Sequence, residues 1–243
     1  ADLVDAAPLG VLAGGAAALA AMWYLLAGRL ASGAAQTAEM MRFGVPLTIG
    51  AVAIWVVSSA DRYLVGWIMD LEAVGLYAPL YRMSMLFSGA VATIVVWWRA
   101  ESLRKGATWA ADRTRRLLAI VLPSTVVAAV IVWWPLSYFL EGVVEYPQAQ
   151  LRAVVAWLLL SVVFWVAANV ILSPLVAASD VKSSAVAWTV AAVVNIMLNF
   201  VLIPGFGLPG AAAATAAAQA TAAFLGWRSL RHFSNPVRRA VVE

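Results

Sequence analysis

The stretch "GVPLTIGAVAIWVVSSADRYLVGWIMD" (44–70) decides how this chain folds, because one charged pair, Asp61 and Arg62, interrupts an otherwise apolar run. A helix crossing hydrocarbon needs about 20 mostly apolar residues, and this run supplies them only if the pair enters the membrane. From Pro46 to Ala60 there are 15 residues, roughly 22 Å of helix at 1.5 Å per residue, against a hydrocarbon core of about 30 Å. The pair is therefore expected at depth, towards the outer leaflet. A charge at the centre of a lone helix costs at least about 2.5–3.5 kcal/mol, so such residues pair or face a watery cavity.

The rest of the chain has the same character. Of its 243 residues, 64% are hydrophobic and only 12% charged, and its mean hydropathy is +0.90. Soluble domains run at about 45–50% apolar and about 25% charged, which excludes a water-soluble globule. Seven segments reach spanning length: 8–28, 46–69, 74–98, 117–140, 153–178, 184–203 and 210–228. None alternates apolar and polar residues as a barrel strand does. The expected class is an all-α polytopic membrane protein. With no cysteine, disulfides and thiolate chemistry are excluded. The first segment is not a signal peptide, since Asp2 and Asp5 stand where a basic region belongs. The chain opens on Ala1 rather than Met, and we expect residues upstream.

Basic residues set the expected orientation. Arg29 and Arg42 follow the first segment; Arg99, Arg104, Lys105, Arg113, Arg115 and Arg116 follow the third. Lys182 follows the fifth, and Arg228, Arg231, Arg238 and Arg239 the seventh. Thirteen of the 16 basic residues thus fall on one side, with Asp2, Asp5, Asp70, Glu72, Glu141 and Glu145 on the other. The N-terminus of this chain is expected outside the plasma (inner) membrane and the C-terminus in the cytoplasm. The basic 99–116 connection either contacts anionic membrane lipid or serves only to fix orientation. The basic residues track topology, so no nucleic-acid partner is expected.

At 100° per residue, Thr48, Trp55, Ser59, Arg62 and Gly66 share a stripe, while Ala53, Val56, Val57, Ala60, Leu64 and Trp67 form a face suited to lipid. Asp61 points about a quarter turn from Arg62, towards a neighbouring helix. In the third segment Tyr77, Tyr81, Ser84 and Ser88 align, with Arg82 a quarter turn aside. The sixth aligns Ser184, Trp188, Asn195 and Asn199, and the seventh Thr215, Gln219 and Gly226. These stripes either line a shared cavity or make interhelical hydrogen bonds, each worth about 0.6 kcal/mol; an Asp61–Arg82 ion pair is the rival role for the charges. The candidate binding set is Trp55, Ser59, Asp61, Arg62, Tyr77, Tyr81, Arg82, Asn195, Asn199 and Gln219. Guanidinium forks match phosphate oxygens, and aromatic rings can stack on sugars, so an anionic, sugar-bearing ligand suits this set. No metal, cofactor or catalytic residue is expected.

Residues 43–83 resemble the start of the second lobe of O-antigen-flippase-type polysaccharide exporters, through Pro46-Leu47, Trp55, Asp61-Arg62, Gly66, Gly75-Leu76-Tyr77 and Tyr81-Arg82. "NIMLNFVLIPGFGLPGAAAAT" (195–215) resembles the same family's Asn-x-x-x-Asn, Ile-Pro and Gly-x-x-Gly-Ala-Ala pattern. The resemblance implies the multidrug/oligosaccharidyl-lipid/polysaccharide (MOP) exporter superfamily, whose members have two six-helix lobes in a V. By it, 1–40 holds the last helix of an N-terminal lobe and the linker, 41–230 a complete MATE-like six-helix lobe, and 231–243 a basic cytoplasmic tail. The remaining first lobe would be missing from this chain. The implied cargo is an isoprenoid pyrophosphate-linked oligosaccharide, moved to the outer leaflet by alternating access for cell-surface polysaccharide synthesis. Pro79 departs from the pattern and is expected to interrupt its helix.

Three rivals compete. A seven-helix receptor would carry "DRY" (61–63) at the cytoplasmic end of its third span, whereas charge bias puts it on the second, near the outer face. A membrane-embedded glycan-processing enzyme needs positioned acids and bases, but the lone His232 lies in the basic tail and Glu141 with Glu145 reads as an outer loop. A drug or cation exporter of the same superfamily would prefer acids within its spans, and here Asp61 stands against Arg62 and Arg82.

Overall fold

The computed structural model describes residues 34–142 and 145–233. The chain divides into two compact units, residues 1–45 and 46–243. Of the first, only the opening of one helix is described; the expected 8–28 segment and the 234–243 part of the tail lie outside the described residues.

Six helices follow: α1 (Ala34–Ile68), α2 (Leu71–Lys105), α3 (Ala107–Glu141), α4 (Gln148–Ala177), α5 (Val181–Phe206) and α6 (Leu208–Phe233). Five of them, all but α6, are long and apolar enough to cross a membrane, as expected of a multi-pass helical protein. The 35-residue helices are roughly 52 Å long at 1.5 Å per residue, more than a bilayer core requires, so their ends extend into the headgroup zone. Pro46, Pro79, Pro123, Pro135, Pro174 and Pro204 all lie inside helices. Pro79 in particular does not interrupt α2, which corrects the sequence expectation. Within a membrane, neighbouring helices and local adjustments satisfy the carbonyls that a proline frees.

α4 is the central column. It packs against α2, α3, α5 and α6, and most of its apolar window is enclosed by protein rather than open to lipid. Val154, Val155, Leu158, Leu159, Val166 and Val170 are buried along it. Large side chains such as Trp67, Trp134, Tyr138, Met197 and Val201 stand exposed on the outer helices, an arrangement that water would penalise and lipid accepts.

Small residues let α6 approach. Ala211, Ala212, Ala214, Ala216, Ala218 and Ala222 are buried on it, in keeping with small-residue packing between membrane helices. Gly207 makes the α5–α6 corner at φ 62°, ψ −139°, a backbone shape that glycine adopts without strain. At Gly210 a side chain would overlap the backbone oxygen and carbon of Leu202, the carbon lying 2.6 Å from an ideal Cβ. At Gly226 it would meet side chains rather than backbone, the flexible Leu172 at 2.8 Å and Ile171 Cγ2 at 3.3 Å.

Gly210→Ala should therefore cost about 1–3 kcal/mol by overpacking and lower the melting temperature of the detergent-purified protein more than Gly226→Ala does. Equal melting temperatures for the two variants would show that backbone closeness at Gly210 is not limiting.

Candidate functional site

On α1, burial follows Gly50, Ala53, Val57, Asp61 and Val65, a spacing of three and four residues that marks one helical face. The expected lipid face is thereby corrected: Ala53 and Val57 lie in the core, while Trp55, expected on the polar stripe, is 58% exposed. Asp61 shares the buried face and is 0% exposed. It lies seven residues before the end of α1, roughly 10 Å along the axis.

A buried carboxylate needs donors, and neighbouring helices bring them. The Tyr77 hydroxyl on α2 donates to Asp61 Oδ2 at 2.8 Å, and the Arg62 backbone N–H donates to Oδ1 at 2.8 Å. Thr215 Oγ1 on α6 approaches Oδ2 at 3.5 Å. From there a chain runs into α5: Asn195 Nδ2 donates to Thr215 Oγ1 at 3.4 Å, and Asn199 Nδ2 donates to the Asn195 carbonyl at 2.8 Å. Asn199 Oδ1 is buried without a hydrogen-bond partner. Three helices, α1, α2 and α6, thus meet on one acid, and α5 joins the network through Thr215.

Arg62 behaves differently. Its side chain is 35% exposed, and Nε lies 4.0 Å from Asp61 Oδ1. Nη2 donates to the Ser58 carbonyl at 3.0 Å and to Ser59 Oγ at 3.2 Å, and the guanidinium carbon stands 4.7 Å from the Tyr81 ring centroid. The Tyr81 hydroxyl donates to the same Ser58 carbonyl at 2.7 Å. A guanidinium has five N–H donors in a fork, so these bonds aim it while leaving donors for a ligand. Its nearest carboxylate screens it only partly.

Beside Arg62 a cavity of about 230 Å³ opens between α1, α2, α4 and α6. Ser58, Tyr81, Ser84, Ser161, Trp165 and Gln219 are among its walls. Gln219 is 7% exposed, and its Oε1 has no hydrogen-bond partner.

Of the candidate residues, the structure gathers Asp61, Tyr77, Asn195 and Asn199 into the buried network, Arg62, Ser59 and Tyr81 into the rim cluster, and Tyr81 and Gln219 into the cavity wall. Arg82 lies exposed on α2, away from Asp61, and among the described residues the Asp61–Arg82 ion pair does not form. Sequence reasoning missed Ser161 and Trp165. Each is an isolated polar or aromatic residue in the apolar run of α4, with no stripe to mark it. It also left Thr215 out of the candidate set, although Thr215 aligns with Gln219 on its helix. Among the described residues no group of three or more His, Asp or Glu side chains could hold a metal ion.

Tyr77→Phe removes the strongest donor to a fully enclosed carboxylate. Loss of stability by about 1–3 kcal/mol is expected, read as a lower melting temperature of the purified protein; an unaltered value would mean that Thr215 and the backbone satisfy Asp61 without the phenol.

Compared with known proteins, residues 3–97 match the model of a family described as polysaccharide biosynthesis protein. No curated protein matches the chain, and no solved structure does. The matched residues include 43–83, which carry the first exporter resemblance, and exclude 195–215, which carry the second. Over residues 3–97 the chain is thus similar to the family described as polysaccharide biosynthesis protein.

Proposed function

We propose that the protein works as part of a flippase that moves an isoprenoid pyrophosphate-linked oligosaccharide across the plasma membrane by alternating access, without enzymatic chemistry. The observation carrying this reading is Arg62: a guanidinium within a membrane helix, held by Ser58, Ser59 and Tyr81, and still 35% exposed. Arginine within a span is costly and marks a ligand path, and its fork suits phosphate oxygens. The family match over residues 3–97 and the apolar helices agree with polysaccharide export.

A cation exporter needs an acid open to its cargo. Here Asp61 is enclosed by Tyr77, Thr215 and the backbone of Arg62, and the accessible charge is positive. That favours an anionic cargo. Alternating access requires the pyrophosphate to bind one conformation better than the other, since a ligand shifts an equilibrium only by its differential affinity. In the full transporter, Arg62 supplies part of that difference. The positive-side bias of Lys and Arg supports a cytoplasmic C-terminus, so the cargo travels from the end of the bundle near Lys105 towards the end near Asp70.

In the full-length protein, Arg62→Ala should abolish surface polysaccharide while membrane insertion stays intact, and Arg62→Lys should restore only part of it, because a point charge lacks the fork. Polymer staining of whole cells with immunoblotting of membranes checks both; wild-type polymer from Arg62→Ala would remove Arg62 from the mechanism.

A further inference from the structure

We propose that the cavity beside Arg62 is a subsite for a single uncharged sugar ring of the lipid-linked cargo, reading that sugar chiefly through hydrogen-bond acceptors. The inference rests on the flippase reading and adds what this part of the site recognises.

The donor inventory carries it. A serine or tyrosine hydroxyl has one proton to donate and lone pairs to accept with. Around this cavity the serine and tyrosine protons are already committed to backbone carbonyls, which leaves the Trp165 indole N–H and the Gln219 amide N–H groups as the wall's donors. Ser58 Oγ donates to Ile54 O at 2.8 Å, Ser84 Oγ to Leu80 O at 3.2 Å, and Ser161 Oγ to Leu158 O at 2.7 Å. Ser88 Oγ donates to Met85 O at 2.8 Å, and the Tyr81 hydroxyl to Ser58 O at 2.7 Å. What these hydroxyls keep for a ligand is their lone pairs. Gln219 adds a buried amide oxygen with no partner, a group whose desolvation is costly until a donor reaches it. The polar part of the wall is therefore mostly acceptors with two donor groups, beside apolar Met85, Leu158 and Val162, and it suits a neutral ligand rich in hydroxyl donors.

Charge narrows the choice. No Asp, Glu, Lys or Arg lines the cavity, so nothing there neutralises an ion. A phosphate, which only accepts, is mismatched to the wall and belongs at Arg62. A cationic amine would find donor-hungry oxygens but would sit beside the Arg62 guanidinium, which stacks on the cavity residue Tyr81. A neutral polyol satisfies both conditions. Size limits it further: about 230 Å³ falls below the roughly 300–1,000 Å³ of drug-sized pockets, giving room for one ring. Shared residues Ser58 and Tyr81 place this ring next to the phosphate position, so the sugar read is the one attached directly to the pyrophosphate.

The test uses full-length protein in lipid nanodiscs and two probes, bare polyprenyl pyrophosphate and polyprenyl pyrophosphate carrying one hexose. Wild type should bind the hexose-bearing lipid about tenfold more tightly, as expected from a few net hydrogen bonds. Gln219→Leu, and independently Ser161→Val on another helix, should bring that ratio close to one, while Arg62→Ala should weaken binding of both probes. A ratio of one in wild type, or a tenfold ratio that survives both cavity variants, overturns the subsite while leaving the flippase reading in place. Failure of wild type to bind either probe overturns both.

Discussion

A carboxylate buried where three helices converge organises this bundle. Asp61 is removed from solvent, and its burial is tolerable only because Tyr77 and the Arg62 backbone N–H donate to it at 2.8 Å and Thr215 approaches it. Each contact comes from a different direction, so α1 has one rotational setting in which the acid is satisfied. That setting turns Ala53, Val57 and Val65 into the core and leaves Trp55 and Trp67 on the outer surface. It also carries Arg62, the next residue, about 100° around the helix to the rim. The acid is structural and the base is presented. Adjacent positions take opposite roles because the helix separates them by about a quarter turn.

Much of the architecture was legible in the chain. Apolar runs of spanning length located the described helices. The polar stripes of α2, α5 and α6 face inward as their spacing implied: Tyr77, Tyr81, Ser84, Asn195, Asn199, Thr215 and Gln219 are all buried. The facing of α1 was misread. Its pattern contains two competing stripes, one polar through Ser59 and Arg62 and one of small residues through Ala53 and Val57. Periodicity alone ranks the polar stripe as interior. Packing decided otherwise, because small side chains admit a neighbouring helix closely while tryptophans do not. Pro79 misled for a related reason, since a proline that would break a helix in water is accommodated within a packed membrane bundle. Ser161 and Trp165 were invisible because α4 is enclosed on nearly every side and offers no contrast between faces.

The site divides its labour by chemistry. A single exposed fork of donors stands at Arg62, and an uncharged pocket richer in acceptors lies directly beside it. Such an alternation fits a molecule whose own character changes over one bond, from phosphate to hydroxyl-bearing ring. The Tyr81 side chain joins the two halves: its ring carries the guanidinium and its hydroxyl holds the Ser58 carbonyl.

The serine and threonine protons bear on biogenesis as well. Ser58, Ser84, Thr114, Ser124, Thr125 and Ser173 each bond a carbonyl four residues earlier in the same helix. A hydroxyl satisfied in this way asks nothing of its neighbours. Each span can then leave the insertion machinery singly and rest in acyl chains with its polar lining already quenched. Asp61 and Asn195 differ, since their side-chain partners Tyr77 and Thr215 stand on α2 and α6. Those hydrogen bonds form only once α2 and α6 have packed against α1 and α5.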